Sequence, residues 1–269
     1  DYKATGKHDQ LRWLHEVLKR HFGEVSLSMD KGSFVHTGIK HQILKDEILL
    51  EQYEYASALK PVPAAAMAAF KDSDSLDEKL HACFLTLLGA AAWLLQTRLD
   101  IMIYVSSLQR MSKKPTIVEL KRINRLIRYV QQHPHGLRYR KLSLPVQVIA
   151  VGDSAFQAPS SEAQAVDPLV MRGYVIGIGH YSDGGYNMQI LAYAGGKQNH
   201  VCRGVWSAEV HNQCDMLDMA TTLLGFLEEV KTGPQPAARL KELRESGGYS
   251  TPLDAFTDRG SLFSYLEAD

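Results

Sequence analysis

The sequence predicts an α/β chain of the α+β kind, in which a mixed sheet with packed helices is preceded by a helical region and a small hairpin-bearing subdomain. Three observations predict it. Apolar runs of strand length, Val146-Gln-Val-Ile-Ala-Val-Gly-Asp153, Arg172 to Tyr181 and Asn187 to Ala194, follow one another before a long helical pattern that opens at Trp206. The pattern from Thr116 to Val130 recurs at helical spacing. Shorter strand-like runs, Val25 to Met29, Phe34 to Ile39 and Glu47 to Leu50, follow an N-terminal helical stretch.

A chain of 269 residues, 45% of them hydrophobic, can bury one sizeable core or two modest ones, and two structural units are expected. The formal net charge is zero, so no global field draws the chain to nucleic acid and any such surface must come from local clustering. Cys83, Cys202 and Cys214 show no paired spacing and fall in apolar surroundings, which reads as reduced thiols and an intracellular place, cytoplasm or nucleus. No stretch reads as a secretory leader. The most apolar window, Leu85 to Leu95, is too short for a bilayer and is expected as a buried helix, with no membrane partner.

In chain order, Leu11, Leu14, Val17, Leu18 and Phe22 mark an amphipathic helix stopped by Gly23. The strand signals that follow complete a first unit, residues 1–59. Pro61-Val-Pro63, an alanine-rich patch and Asp72-Ser-Asp-Ser-Leu-Asp-Glu78 then read as a partly ordered linker over 60–80. Two or three helices are expected from His81 to Val130, within a helical unit over 81–142. On the helix after Thr116, Ile117, Leu120, Ile123, Ile127 and Val130 share one side while Lys121, Arg122, Arg125 and Arg128 crowd another. Arg138, Arg140 and Lys141 continue the charge, with Glu119 alone opposing it in sequence. Such a run is most often a solvated face.

The last unit, 145–269, carries the chemistry. Asp153 stands at the exit of its strand, and Ser182-Asp-Gly-Gly-Tyr186 predicts a tight hairpin between the next two strands. Ser207 is the expected N-cap of the long helix, which puts Glu209 in its first turn. Val210, Cys214, Leu217, Thr221 and Leu224 set the apolar stripe, widened by Met216, Ala220, Leu223 and Leu227. Pro252 to Asp258 is a further strand ending in an acid, and a short helix is expected from Ser261. Taken singly, each acid is most often a strand-end or cap residue. Three that converge can hold divalent cations, because hard carboxylate oxygens suit magnesium, with manganese as the alternative.

In that order the acids resemble the ribonuclease H domain of copia-type retrotransposon polyproteins. Asp153 in Val-Gly-Asp-Ser-Ala-Phe stands where that family has its first acid. Glu209 in Trp-Ser-Ala-Glu-Val matches its Ser-x-Glu-Ala-Glu element, and Asp258 in Phe-Thr-Asp-Arg-Gly-Ser-Leu its Thr-Asp-Ser-x-Ser-Leu element. Gly196-Lys-Gln198 fits its Lys-Gln signature. Upstream, Phe34-Val-His-Thr-Gly-Ile39, Leu50-Glu-Gln-Tyr-Glu-Tyr55 and Thr97-Arg-Leu-Asp-Ile101 resemble the end of its reverse-transcriptase palm and the region after it, with Leu99 where the family has proline. Asp1 would then be the last aspartate of its Tyr-Val-Asp-Asp motif.

The resemblance implies a ribonuclease H-like sheet, a thumb or connection region and a palm remnant. It implies hydrolysis of the RNA strand of an RNA–DNA hybrid, with Asp153, Glu209 and Asp258 as metal ligands and catalytic residues. Lys121, Arg122, Arg125, Arg128, Arg138 and Arg140 would grip hybrid or duplex phosphates. The family's usual histidine near there is replaced by Glu119. Its fourth acid lies in an element beyond Asp269, so weak metal binding and poor cleavage are expected of this chain without the remainder of a polyprotein. The rival expectations are a catalytically inactive nucleic-acid-binding remnant and a nonfunctional translated relic whose fold is only partly stable.

Other signals are weaker. Gly177, Gly179, Gly184 and Gly185 lie in a hairpin and not between a strand and a helix, so they do not read as a phosphate cradle. No histidine or cysteine spacing suggests zinc. Ser154 and Ser207 lack a histidine in an activating pattern. His211, about 200° round the helix from Glu209, should point away from it.

Overall fold

The computed structural model describes residues 6–23, 32–157, 169–182, 184–258 and 260. The expectations for Asp1, the strand Val25 to Met29 and the helix from Ser261 lie outside the described residues. Among the described residues the fold is mixed α/β, with seven α-helices, a four-stranded antiparallel sheet and a four-stranded mixed sheet.

Helix α1 (His8–Phe22) carries Asp9 in its first turn and Lys19, Arg20 and His21 in its last, each complementing the helix dipole, and ends at Gly23 with φ 81°. The run expected as one strand from Phe34 to Ile39 is instead a hairpin. Strands β1 (Ser33–His36) and β2 (Ile39–Ile43) turn through Thr37 and Gly38, whose φ values of 48° and 74° match the twist of a two-residue hairpin. The Thr-Gly pair was the overlooked turn signal. Strand β3 (Glu47–Glu51) pairs with β2, and the sheet's fourth strand comes from beyond the helices.

Helix α2 (Tyr53–Ala58) leads into the stretch expected as a linker, and here the structure corrects the sequence. Val62 and Met67 are buried in the helical core, and Asn124 holds Val62 by both its amide (2.8 Å) and its carbonyl (2.9 Å). Prolines break the helical pattern without preventing burial. Helices α3 (Glu78–Leu94), α4 (Met102–Arg110) and α5 (Ile117–Gln132) complete this core, with Phe84, Leu94, Ile101, Val105, Leu120 and Ile127 fully buried. The side of α5 bearing Ile117, Leu120, Ile123, Ile127 and Val130 faces inward as its spacing predicts.

Two stretches noted in the sequence meet here. Gln52 accepts from the Thr97 hydroxyl (2.9 Å) and donates to the Trp93 carbonyl (3.3 Å). Beside them the buried Arg98 reaches the His133 carbonyl at the end of α5 (2.9 Å). Strand β4 (Leu137–Arg140) then returns to pair with β3, giving the order β1-β2-β3-β4.

The second sheet begins at β5 (Gln147–Gln157), followed by β6 (Leu169–Ser182) and β7 (Gly185–Lys197), antiparallel neighbours as expected. Gly184, with φ 80°, lies in the β6–β7 turn. Helix α6 (Val205–Thr232) crosses the sheet, α7 (Ala237–Ser246) follows, and β8 (Leu253–Phe256) pairs parallel to β5, so the order is β7-β6-β5-β8. The core holds Val148, Ala150 and Ile176 against Met216, Ala220 and Leu224. Cys214 and Leu217 of the expected stripe are exposed, so the inward face of α6 is Leu224 together with Met216 and Ala220, two of the residues expected to widen it.

The helical core and the second sheet touch. Ser106 donates to the Gly195 carbonyl (3.2 Å), and the Tyr193 hydroxyl to that of Leu95. Burial, then Tyr139, pushes the Tyr193 phenol up to about 12, which keeps it a donor. Among the described residues no helix is long and apolar enough to cross a membrane.

Candidate metal centre

Asp153, Glu209 and Asp258 come together. One carboxylate oxygen from each lies within 4.8 Å of the other two. Each comes from a different element: Asp153 from within β5, Glu209 from α6, and Asp258 from two residues past the end of β8. Parallel pairing of β8 with β5 brings the second strand-borne acid beside the first, and α6, packed against β5, supplies the third.

Two local expectations are corrected. Strand β5 does not end at Asp153 but continues through Gln157, because β6 pairs with it along that whole length. Gly204, not Ser207, caps α6, so Glu209 falls in the second turn and the first carries no acid. Ser207 sits inside the helix, where its hydroxyl accepts from the Arg203 amide (3.1 Å) and donates to the Gly204 carbonyl (3.0 Å).

Glycines lie across the sheet from Asp153, and the Met102 side chain packs over the farther of them. The cross-strand partner of Asp153 is Gly173, whose own partner on β7 is Gly195. A side chain at Gly173 would meet little, and the carboxylate of Asp153 is exposed. Glu209 is the opposite case. It is 2% exposed, and its Oε2 makes no hydrogen bond. Burial raises its carboxyl above the usual value, Ser154 beside it works in the other direction, and the charges of Asp153 and Asp258 raise it further.

An anionic, all-oxygen donor set of this kind suits a hard divalent cation such as magnesium or manganese. Oxygens sharing one magnesium ion lie about 3–4 Å apart, so the observed spacing needs a small inward movement of the exposed aspartates. The unpartnered Glu209 Oε2 offers an acceptor whose burial a cation would compensate. The residues therefore fit the ion. Among the described residues this is the one group of three or more such side chains with metal-ligand spacing, and no His or Cys joins it. His211 instead stacks on His200, ring centroids 4.5 Å apart.

Sequence reasoning missed the amides behind these acids. Asn212 and Gln213 are buried on α6 and reach main-chain carbonyls of β5 and β6. Two adjacent carboxamides interrupting an apolar helix face, and a glycine directly before Asp153, were the available signals.

The basic residues do not form one helix surface. Lys121, Arg122, Arg125 and Arg128 are exposed on α5, whereas Arg138 and Arg140 lie on β4 in the other sheet. The acids opposing them are more than Glu119. Lys121 pairs with Asp72 (2.6 Å), and Glu47 receives both Arg138 (2.6 Å) and Arg140 (3.7 Å). Glu119, 3.4 Å from Arg122, serves α5 itself, accepting from the Thr116 amide (3.0 Å) and hydroxyl (2.5 Å) in a capping box. No protein-family model, curated protein or solved structure was found to match the chain.

Proposed function

We propose that this chain is a ribonuclease H-type, metal-dependent hydrolase of the RNA strand of RNA–DNA hybrids, belonging to a retroelement polyprotein. The observation that carries the reading is the meeting of Asp153, Glu209 and Asp258 from three separate elements. The order in which the acids occur along strand, helix and strand supports it, as does the resemblance of their flanking residues to the copia-type elements. Divalent cations bound there would supply the charge that activates a water and stabilises the departing 3′ oxygen. The chain's own part is to hold three oxygens at one point and to keep Glu209 shielded from bulk water. The exposed Asp153 and the neighbouring Gly173, where a side chain would meet little, leave room for a sugar-phosphate backbone. Hybrid selection then comes from shape and 2′-hydroxyl contacts more than from bases.

The test is cleavage of a labelled hybrid in magnesium, comparing the unaltered chain with Asp153→Asn. Loss of cleavage in the variant is expected, and equal rates would remove the catalytic reading.

A second reading is a binding module that does not cleave. It is favoured by Arg125 and Arg128, both exposed on α5 without an ion pair among the described residues. It expects salt-sensitive hybrid binding that weakens in Arg125→Ala and Arg128→Ala and is untouched by Asp153→Asn.

A further inference from the structure

Glu209 does not stand alone on its face of α6. Three and four residues on, Asn212 and Gln213 return to the same side of the helix. Both are buried, Asn212 completely. The Asn212 amide donates to the carbonyls of Asp153 (3.0 Å) and Gly173 (3.2 Å), bridging two strands, while Gln213 donates to the carbonyl of Gly152 (2.9 Å). The contacted main chain belongs to Asp153, to the residue before it and to its cross-strand partner.

The approach is close enough to need glycine at 152. A Cβ there would lie 2.9 Å from the Met216 sulfur, 3.0 Å from the Asn212 amide nitrogen and 3.4 Å from that of Gln213. Apolar side chains would seal the same helix–sheet contact without the cost of burying amides. What amides add is direction. They fix where along the helix each strand carbonyl must sit, and hence how far the Asp153 carboxylate stands from that of Glu209.

We propose that Asn212 and Gln213 are positioning residues that set the Asp153–Glu209 separation and so tune the site to a small divalent cation. The proposal rests on the metal reading above. Magnesium-sized ions demand near-ideal octahedral geometry, whereas calcium accepts looser and longer contacts. Residues that orient metal ligands cost about 10- to 100-fold in metal affinity when replaced.

The experiment is calorimetric titration of the full chain with manganese and separately with calcium. It compares the unaltered protein, Asn212→Leu, Gln213→Met and Gly152→Ala, with the exposed Cys214→Ser as control. The expected result is manganese binding weakened about tenfold or more in the first three variants. Calcium binding should change less, so the preference for the smaller ion falls, and Cys214→Ser should match the unaltered chain. A loss of packing alone would weaken both ions together, and that outcome overturns the proposal. Manganese affinity unchanged in the variants overturns the clamp and leaves the metal reading standing, whereas an unaltered chain that binds no manganese overturns both. Gly152→Ala keeps both carboxamides but forces the Met216 sulfur and the Asn212 amide to give way by tenths of an ångström. It and Gln213→Met decide the matter if Asn212→Leu does not fold.

Discussion

Arg98 and Asp100 are joined by two parallel hydrogen bonds, each 2.8 Å, from the Nε and Nη2 of the guanidinium to the two carboxylate oxygens. The Arg98 side chain is 4% exposed and its guanidinium also reaches the carbonyl that ends α5, so one side chain ties the turn after α3 to the far end of another helix. Removing it leaves a carboxylate and a carbonyl without their donor. Arg98→Ala should lower stability by about 2–4 kcal/mol, measured by urea unfolding monitored at the tryptophans. A loss under 1 kcal/mol would show that water replaces the guanidinium freely.

Asp100 also links this knot to pH. Burial tends to raise its carboxyl, but the hydrogen bond and charge of Arg98, its own backbone amide and His135 outweigh that and leave it below the usual range. A carboxyl whose folded value is lowered contributes stability above its unfolded value and loses it as pH falls through the folded one. The stability gap between the native chain and Asp100→Asn should therefore be full at neutral pH and shrink in acid. A gap that stays constant down to about pH 3 would contradict it.

Glu209 has the reverse sign. Its raised carboxyl makes the folded, metal-free chain hold a proton that the unfolded chain gives up near the usual value of 4.5. Stability from this group is full below that value and is lost as pH rises through the folded one. Glu209→Gln mimics the protonated form and should remove that decline, so melting curves of the two proteins should diverge as pH increases. Magnesium should close the divergence, because a cation favours the ionised carboxylate. Parallel pH profiles for the two proteins would argue against a raised carboxyl.

Gly177 and Gly179 serve close strand packing. A Cβ at either would strike the carbonyl of Gln189 or Asn187 on β7, and a register shift falls at Ile176 and Gly177. Gly179→Ala should cost about 1–3 kcal/mol, read as a drop in melting midpoint, while Gly196→Ala, with open space around it, should cost less.

Much of this fold was legible because its periods are clean. The inward residues of α5 and the strands around Asp153 and Val175 follow helical and strand spacing directly, and the three acids could be picked out before their meeting was known. What was misread depended on partners far along the chain. The stretch from Lys60 to Lys79 looks like a linker by composition, yet Val62 is claimed by Asn124 on a later helix. Arg138 and Arg140 look unopposed until β3 brings Glu47 beside them. Ser207 has a good cap residue's chemistry, but the helix starts at Val205 after Gly204, and the hydroxyl serves from inside. Local pattern carries period and turn chemistry, whereas the choice of partner is a property of the whole chain.

The return of β4 to the first sheet has a practical outcome for anyone dividing this chain. A piece comprising residues 1–59 would lack the strand that borders β3, leaving a raw margin of unpaired amides and carbonyls prone to self-association. A protease nick between residues 60 and 80, by contrast, should leave two fragments that stay bound through the β3–β4 ladder.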